Sequence, residues 1–457
     1  MRILFLLLLL PLWAAAQPTP FCTGTTNGFV VDFAEYQGEL YATGFFTKIC
    51  NQTTGYVARW NGTQWQQGAQ GGIDEGHALE VIGDALLIAT YEFGVDTNYV
   101  VRWNGTTLST LGAVYRSNPN PNQSQTASVY DIIEYAGEIV VCGEFNRVDG
   151  QAMSGIARWN NQQWDTLGSG LSGSFAGGPA ILYPHQMTVF DGDLIVCGNF
   201  LKAGGQTVNG IARWDGQQWH PMGEGFNSTV YGLGVFNGQL YAGGAFTASG
   251  ATPLECLARW NGSAWEYPGF GVQHSIAGVQ PFIHTLRQIG DSLFVAGGFN
   301  RVSLESGDLL TGSGVVAVNS AGQINLLGGG TLNKDIEAVI PYNGGILLGG
   351  GANTGSGYVG FWNPQTSALE DLSDALAPKV RPNPARDHID VSDWTARGYR
   401  LLRLIDLRGQ TLFDTVLKPE TGEVVLPDLP AGLYALQFDG SRQYGRGHCL
   451  ISVLPNK

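Results

Sequence analysis

Basic charge is what this chain most lacks. Only 14% of its 457 residues are charged, with 24 Lys and Arg against 38 Asp and Glu, for a net charge of −14 at pH 7. Nucleic-acid recognition needs a basic footprint, so nucleic acid is excluded as a partner. Cysteine is sparse too, and six in a chain of this length do not make a disulfide framework. No stretch holds a helical period, and no apolar run reaches the ~20 residues of a membrane span, so no transmembrane segment is expected. The 66 glycines follow no triplet rule, which excludes a collagen-like chain, and 11% aromatics argues against disorder.

What is present begins with an address. Arg2 precedes the apolar run Ile3–Leu10, and Ala14-Ala15-Ala16 stands before Gln17. A basic start, a short apolar core and small residues at −1 and −3 read as a secretory signal peptide over 1–16, cleaved near Ala16. The mature chain is expected to be secreted or held at the cell surface. Export permits disulfides, and Cys22 and Cys50 flank the first two strands and could staple them. Cys142 and Cys197 occupy one repeat slot in neighbouring copies, where Thr43, Ala89, Gly243, Ala296 and Gly349 stand elsewhere. They read as small buried free thiols. Cys256 and Cys449 have no evident mates.

One phrase returns along the chain, clearest in GIARWNNQQWDTLGSGL from Gly155 and GIARWDGQQWHPMGEGF from Gly210. Seven copies align on the apolar residue opening a second strand: Leu40, Leu86, Ile139, Leu194, Leu240, Leu293 and Ile346. Phe46, Phe93, Phe145, Phe200, Phe246 and Phe299 recur after it, with Ala352 in the seventh copy. Trp60, Trp103, Trp159, Trp214, Trp260 and Trp362 follow, with Val318 in the sixth. Each unit reads as four short strands, the last two joined by Trp-Asn-Gly-x-x-Trp, where Asn-Gly supplies the positive φ of a hairpin turn. Four strands per unit at a period near 50 predict an all-β fold, a seven-bladed β-propeller over 17–377. In its period and its second-strand glycines the chain resembles the kelch-like and galactose-oxidase-type propellers over most of Gly28–Leu372. The second copy lacks the usual Gly, and ARWNG is not the motif of those families. The resemblance implies a fold and not an activity.

The pattern stops near Ala377. Residues 378–457 carry a balance of +2 and the remainder −16, which marks a domain boundary. Alternating strands with Pro- and Gly-coded turns predict a small C-terminal β-sandwich over 378–457. Pro382, Asn383 and Pro384 open it, Leu404-Ile405-Asp406-Leu407-Arg408-Gly409 follows, and Leu429-Pro430-Ala431-Gly432-Leu433-Tyr434 precedes a final apolar strand. This closely resembles the type A sorting domain of the type IX secretion system. The resemblance implies an export address, with Pro382, Asn383, Pro384, Gly432 and Tyr434 as its motif and secretion and surface-processing machinery as its partners. Leu454-Pro455-Asn456-Lys457 trail the last strand, and only Arg446 supplies the usual basic residue, both departures from that pattern.

The connections Gly112–Ser128, Gly168–Pro184, Gly269–Pro281 and Arg301–Gly314 are long and share one rim of the predicted propeller, the face expected to work. Nine residues before each anchor on that rim stand Val31, His77, Tyr130, His185, Tyr231, His284 and Glu337. Two residues further on, Phe33, Leu79, Ile132, Met187, Leu233, Leu286 and Val339 are uniformly apolar. Tyr130, His185, Tyr231, His284 and Glu337 are candidate ligand contacts. His77, His185 and His284 are candidate ligands for a divalent metal, although no cofactor is required. The same imidazoles with Glu337 could serve acid–base chemistry, or the ring could cap the core by hydrogen bonds to neighbouring backbones. Tyr115, Tyr183 and Tyr267 suit stacking on sugar or peptide. Gly355–Gly360 matches G-x-G-x-x-G but leads into a strand, so no phosphate cradle follows. Asn61-Gly62-Thr63, Asn104-Gly105-Thr106 and Asn261-Gly262-Ser263 are hairpin turns before they are glycosylation sites. The expected role is binding of a polysaccharide, an adhesion partner or another protein at the cell surface. A metal-assisted polysaccharide lyase or hydrolase and a structural spacer are the alternatives.

Overall fold

The computed structural model describes residues 19–21, 25–69, 73, 75–92, 96–116, 126–175, 182–312, 314–327, 334–351 and 357–362. Toward the C-terminus it describes 388–390, 401–405, 411–416, 418, 423–425, 432–439 and 446–453. The chain divides into two compact units, Gln17–Trp362 and one holding Asn363–Lys457. The expected boundary at 377 lies outside the described residues. The fold is all-β, with no helix among the described residues.

In the first unit each sequence copy forms one antiparallel sheet whose strands pair in chain order. The first sheet runs Val30–Tyr36, Glu39–Gly44, Val57–Trp60, Trp65–Gln67. The later sheets open on Glu75–Ile82, Ser128–Tyr135, Tyr183–Phe190, Val230–Phe236, Phe282–Ile289 and Asp335–Tyr342. These innermost strands contact one another in succession, and the last contacts the first. Turn chemistry sets the hairpins. Gln37-Gly38, Ala136-Gly137, Asp191-Gly192, Asn237-Gly238 and Asn343-Gly344 all carry two successive positive φ angles, the primed turn that matches strand twist. In the outer hairpin Asn61 Oδ1 accepts from the backbone N–H and the hydroxyl of Thr63 and from Gln64 N–H, at 2.9–3.0 Å. That turn pairs Trp60 with Trp65, as equivalent turns pair Trp159 with Trp164 and Trp214 with Trp219.

The apolar core is a series of wedges between sheets. Ala34 and Tyr36 meet Leu79, Leu86 and Ile88 between the first and second. Phe236 and Leu257 meet Leu286 and Val295 between the fifth and sixth. Ala338, Ile340 and Leu347 of the seventh meet Phe33, Leu40 and Phe46 of the first, which closes the cycle. Phe46, Phe200 and Phe246 are fully buried, each contributing about 2 kcal/mol. The outer Trp of a sheet also reaches its predecessor: Trp219 Nε1 donates to Leu167 O at 2.8 Å and Trp265 Nε1 to Met222 O at 3.1 Å.

Sequence patterning did not foresee how the seventh sheet is completed. Its outer strand comes from the other end of the unit, Thr19–Pro20, paired with Phe361 and Gly360. Phe21 then packs on Trp60, Trp65, Tyr342 and Phe361 at 4.7–6.1 Å between centroids. At this seam Trp65 Nε1 is buried without a hydrogen-bond partner.

The long connections are also more regular than expected. Small ribbons such as Lys48–Ile49 with Gln52–Thr53 lie between second and third strands. Several pair with the segment leaving the previous sheet, as Val114–Tyr115 does with Arg147–Val148 and Phe270–Gln273 with Arg301–Leu304. In the C-terminal unit, Leu401–Ile405, Thr411–Val416, Gly432–Asp439 and Arg446–Val453 form a four-stranded antiparallel sheet. His388–Asp390 pairs with Glu423–Val425 in a separate two-stranded one.

Every innermost strand shifts register once against its neighbour. The unpaired extra residues are Val31, His77, Tyr130, His185, Tyr231, His284 and Glu337. Each is a β-bulge, which bends the strand and re-aims a side chain. Six of the seven second strands place a glycine opposite: Gly44, Gly143, Gly198, Gly244, Gly297 and Gly350. A Cβ at any of them would fall on the carbonyl oxygen two residues before the bulge, as Gly198 would on Tyr183. Gly198→Ala is therefore expected to lower stability by about 2–3 kcal/mol, the cost of overpacking, measured by urea unfolding. Stability equal to wild type would show that the bulge yields freely.

Candidate functional site

The seven bulge residues all line one cavity of about 640 Å³ inside the cycle of innermost strands, within the ~300–1,000 Å³ range of small-molecule pockets. Five of them form an unbroken arc of rings. The centroids of His77 and Tyr130 are 5.1 Å apart, those of Tyr130 and His185 5.5 Å, those of His185 and Tyr231 4.8 Å and those of Tyr231 and His284 5.2 Å. A second tier packs behind the arc: Phe45 and Tyr91 on His77, Tyr183 on Tyr130, and Phe282 on His284. Glu337 and Val31 complete the ring.

The expectation that ring residues cap neighbouring backbones is met by a different set of side chains. Tyr130 Oη donates to Glu144 Oε2 at 3.4 Å, and His77 Nε2 is buried with no hydrogen-bond partner among the described residues. Backbone bridging falls to the residue after the bulge. Asp32 Oδ2 accepts from Leu79 N–H of the next sheet at 2.8 Å, Asp131 Oδ2 from Met187 N–H at 2.6 Å, and Gln186 Oε1 from Leu233 N–H at 2.7 Å. Sequence reasoning missed these residues. Their one signal is a carboxylate or amide between the ring position and an invariably apolar one.

Burial dominates the electrostatics. It lowers His77 and His284 to about 4, and burial with repulsion from His284 and His77 lowers His185 to about 3. The imidazoles are therefore neutral at pH 7. Burial, with Asp335 nearby, lifts Glu337 to about 7. Glu80, three residues beyond His77, is lifted to about 7 by burial and by Asp32. Asp32 rises to about 6 and Asp131 well above the carboxylate range, both chiefly through burial. Tyr130 and Tyr231 are raised for the same reason and stay protonated.

The metal expectation meets a geometric obstacle. Among the described residues no three His, Cys, Asp or Glu side chains are grouped to hold a metal ion. Tyr130 and Tyr231 stand between His77, His185 and His284, because the imidazoles sit on alternate sheets. Of the loop tyrosines, Tyr183 instead opens an innermost strand and packs on the arc at His185. Tyr115 ends an outer strand, and Tyr267 donates to Ser303 O at 3.3 Å. Cys142, Cys197 and Cys256 are buried and free. Cys50 is disulfide-bonded, and its expected mate Cys22 lies outside the described residues. Pro382, Asn383 and Pro384 lie outside them as well, while Gly432 and Tyr434 pair with Val453 and Ile451.

No family model matches the chain, and no curated protein matches it. Among solved structures it is similar to PorZ, an essential bacterial surface component of the type-IX secretion system of Porphyromonas gingivalis, at 16% identity and a TM-score of 0.42 over 96% of this chain and 61% of that one. It is similar to the extracellular domain of the putative one component system BT4673 from B. thetaiotaomicron, at 14% identity and 0.42 over 96% and 58%. It is also similar to virginiamycin B lyase from Staphylococcus aureus, at 14% and 0.42 over 75% and 98%. The chain spans about three fifths of the first two. Similarity this slight carries neither activity nor partner to this chain.

The shifted carboxyls set a pH dependence. An acid whose pKa is higher folded than unfolded favours the fold below its unfolded pKa and loses that contribution as pH rises through the folded value. For Glu80 and Glu337 this window runs from about 4.5 to about 7. The buried imidazoles oppose the carboxyls only below their unfolded pKa near 6.5. Between about pH 5 and 7 the two carboxyls should therefore make the free energy of urea unfolding fall with rising pH, against the rise that the imidazoles cause. Glu80→Gln with Glu337→Gln should remove that fall, so that stability rises more steeply with pH than in wild type, and an unchanged slope in the double variant would count against the assignment.

Proposed function

We propose that the chain is a surface-exported binding protein. Its Gln17–Trp362 unit acts as a seven-bladed β-propeller that takes a ligand at the mouth of its central channel. One observation carries this reading: seven unpaired bulge residues, one per sheet, line a single cavity, and five of them form a continuous arc of His and Tyr rings. The arc presents aromatic rings with polar tips to the cavity, the chemistry by which aromatic side chains hold sugars or peptide groups. Tyr130, His185, Tyr231, His284 and Glu337 are its contacts. A glycan or a protein segment is the ligand class.

In this reading residues 1–16 direct export and are removed near Ala16, and Cys22 pairs with Cys50. Residues 378–457 are a small β-sandwich that engages type IX secretion and surface-processing machinery. The two antiparallel sheets of that region and its resemblance to a type A sorting domain support this role.

Two measurements test the proposal. The mature propeller, screened on glycan and protein arrays, should give hits that Tyr130→Ala with Tyr231→Ala weakens at least tenfold while the circular dichroism spectrum is retained. Hits indifferent to that double variant would place recognition elsewhere. Expressed in a bacterium that has a type IX system, the full chain should reach the surface, and a chain lacking 378–457 should stay in the periplasm. Equal surface display of both would remove the sorting role.

A further inference from the structure

Below the arc the cavity changes character. Its lining holds five acids, Asp32, Glu35, Glu80, Asp131 and Glu337, against the single cation Arg287. No ion pair among the described residues involves Glu80, Glu337 or Arg287. Asp32 and Asp131 are spent on backbone N–H groups of the next sheets. That leaves Glu337 at the mouth, Glu80 deeper and Glu35, which is exposed. Glu80 stands three residues past the bulge of its strand, about 10 Å further in at ~3.3 Å per residue. His77 Nε2, on the same strand, is buried in the cavity wall without a hydrogen-bond partner. Burial is the main cause that raises Glu80 and Glu337, and Arg287 draws on Glu80 from beyond ion-pair distance.

We propose that the channel admits a linear aliphatic polyamine past the His–Tyr arc and holds one ammonium group against Glu337 and another against Glu80. This rests on the reading of the channel as a binding site and adds to it a second, cationic ligand held deeper than the arc. Two carboxyls at two depths suit a chain charged at both ends better than a single charge. Tyrosine faces around the entrance attract an ammonium group as well. The shared chemistry, an aliphatic ammonium, is also carried by a lysine side chain, which could engage one carboxyl only.

The test is calorimetric titration of the full chain with three probes at pH 7.5. Spermidine carries charge at both ends, N-acetyl-Gly-Lys-Gly-amide carries one ammonium, and triethylene glycol is a neutral chain of similar length. Spermidine should bind, the lysine peptide at least tenfold more weakly, and triethylene glycol not measurably. Glu80→Gln and Glu337→Gln should each weaken spermidine at least tenfold, with unfolding midpoints recorded to show that the variants fold. Spermidine that fails to bind, binds no better than the lysine peptide or triethylene glycol, or ignores both substitutions overturns the inference. An array ligand sensitive to Tyr130→Ala with Tyr231→Ala would survive that result, so the two readings can fail separately.

Discussion

The molecule depends on a steric exchange between two adjacent strands. An innermost strand can carry one residue more than its partner only if the partner yields room for the carbonyl that the bulge displaces. A glycine in the second strand yields it, at Gly44, Gly143, Gly198, Gly244, Gly297 and Gly350. The second sheet shows how else the slot can be filled. Thr90 stands there, buried, with its hydroxyl accepting from Tyr99 N–H of the third strand. Without the extra residue, side-chain alternation would send the ring position into an inter-sheet wedge. With it, that position is released from pairing while the next two residues keep their register.

Three consecutive residues thus carry three separate duties. Val31, Asp32 and Phe33 show the division. The first lines the channel, the second bridges to the backbone of the following sheet, and the third fills the wedge toward the preceding one. Burying Asp32 and Asp131 works against their ionisation, which their raised pKa values record. Each carboxylate offsets part of that cost by accepting two backbone N–H groups, Phe33 and Leu79 for Asp32, Ile132 and Met187 for Asp131. A buried acid that satisfies backbone donors on two sheets resists replacement by an apolar residue, because both donors would be left unpaired.

Much of this was legible in the sequence, and the reason is register. A bulge locked to a glycine and a tight turn keeps a constant distance from the anchor of the second strand. The nine-residue spacing therefore picked out all seven bulge residues, although it could not show that they were bulges. Strand order, Asn-coded turns and the Trp pairs followed from period and turn chemistry in the same way. The closing strand Thr19–Pro20 was invisible because two residues hold no period. The ribbons in the long connections escaped for the same reason, most being two residues to a strand. Asp32 and Asp131 were hidden because a polar residue beside a polar ring position reads as more of the ring. The separation of the three imidazoles needed the lateral order of the sheets, which places a tyrosine between each pair.

That division of labour bears on which positions can change function without changing fold. A ring residue has no backbone ladder partner in its own sheet, so its identity is constrained mainly by the side chains around it. Val31, Glu337 and the five aromatic positions already sample apolar, acidic, imidazole and phenol side chains on one scaffold. The positions two residues on admit only Phe, Leu, Ile, Met and Val, all at most 4% exposed. On the proposed binding role, recognition is written where the backbone has been relieved of structural work, and stability where it has not. The acidic excess of the channel fits that account. Glu80 and Glu337 cost folding free energy when ionised, and the proposed cationic guest would offset part of that cost on binding.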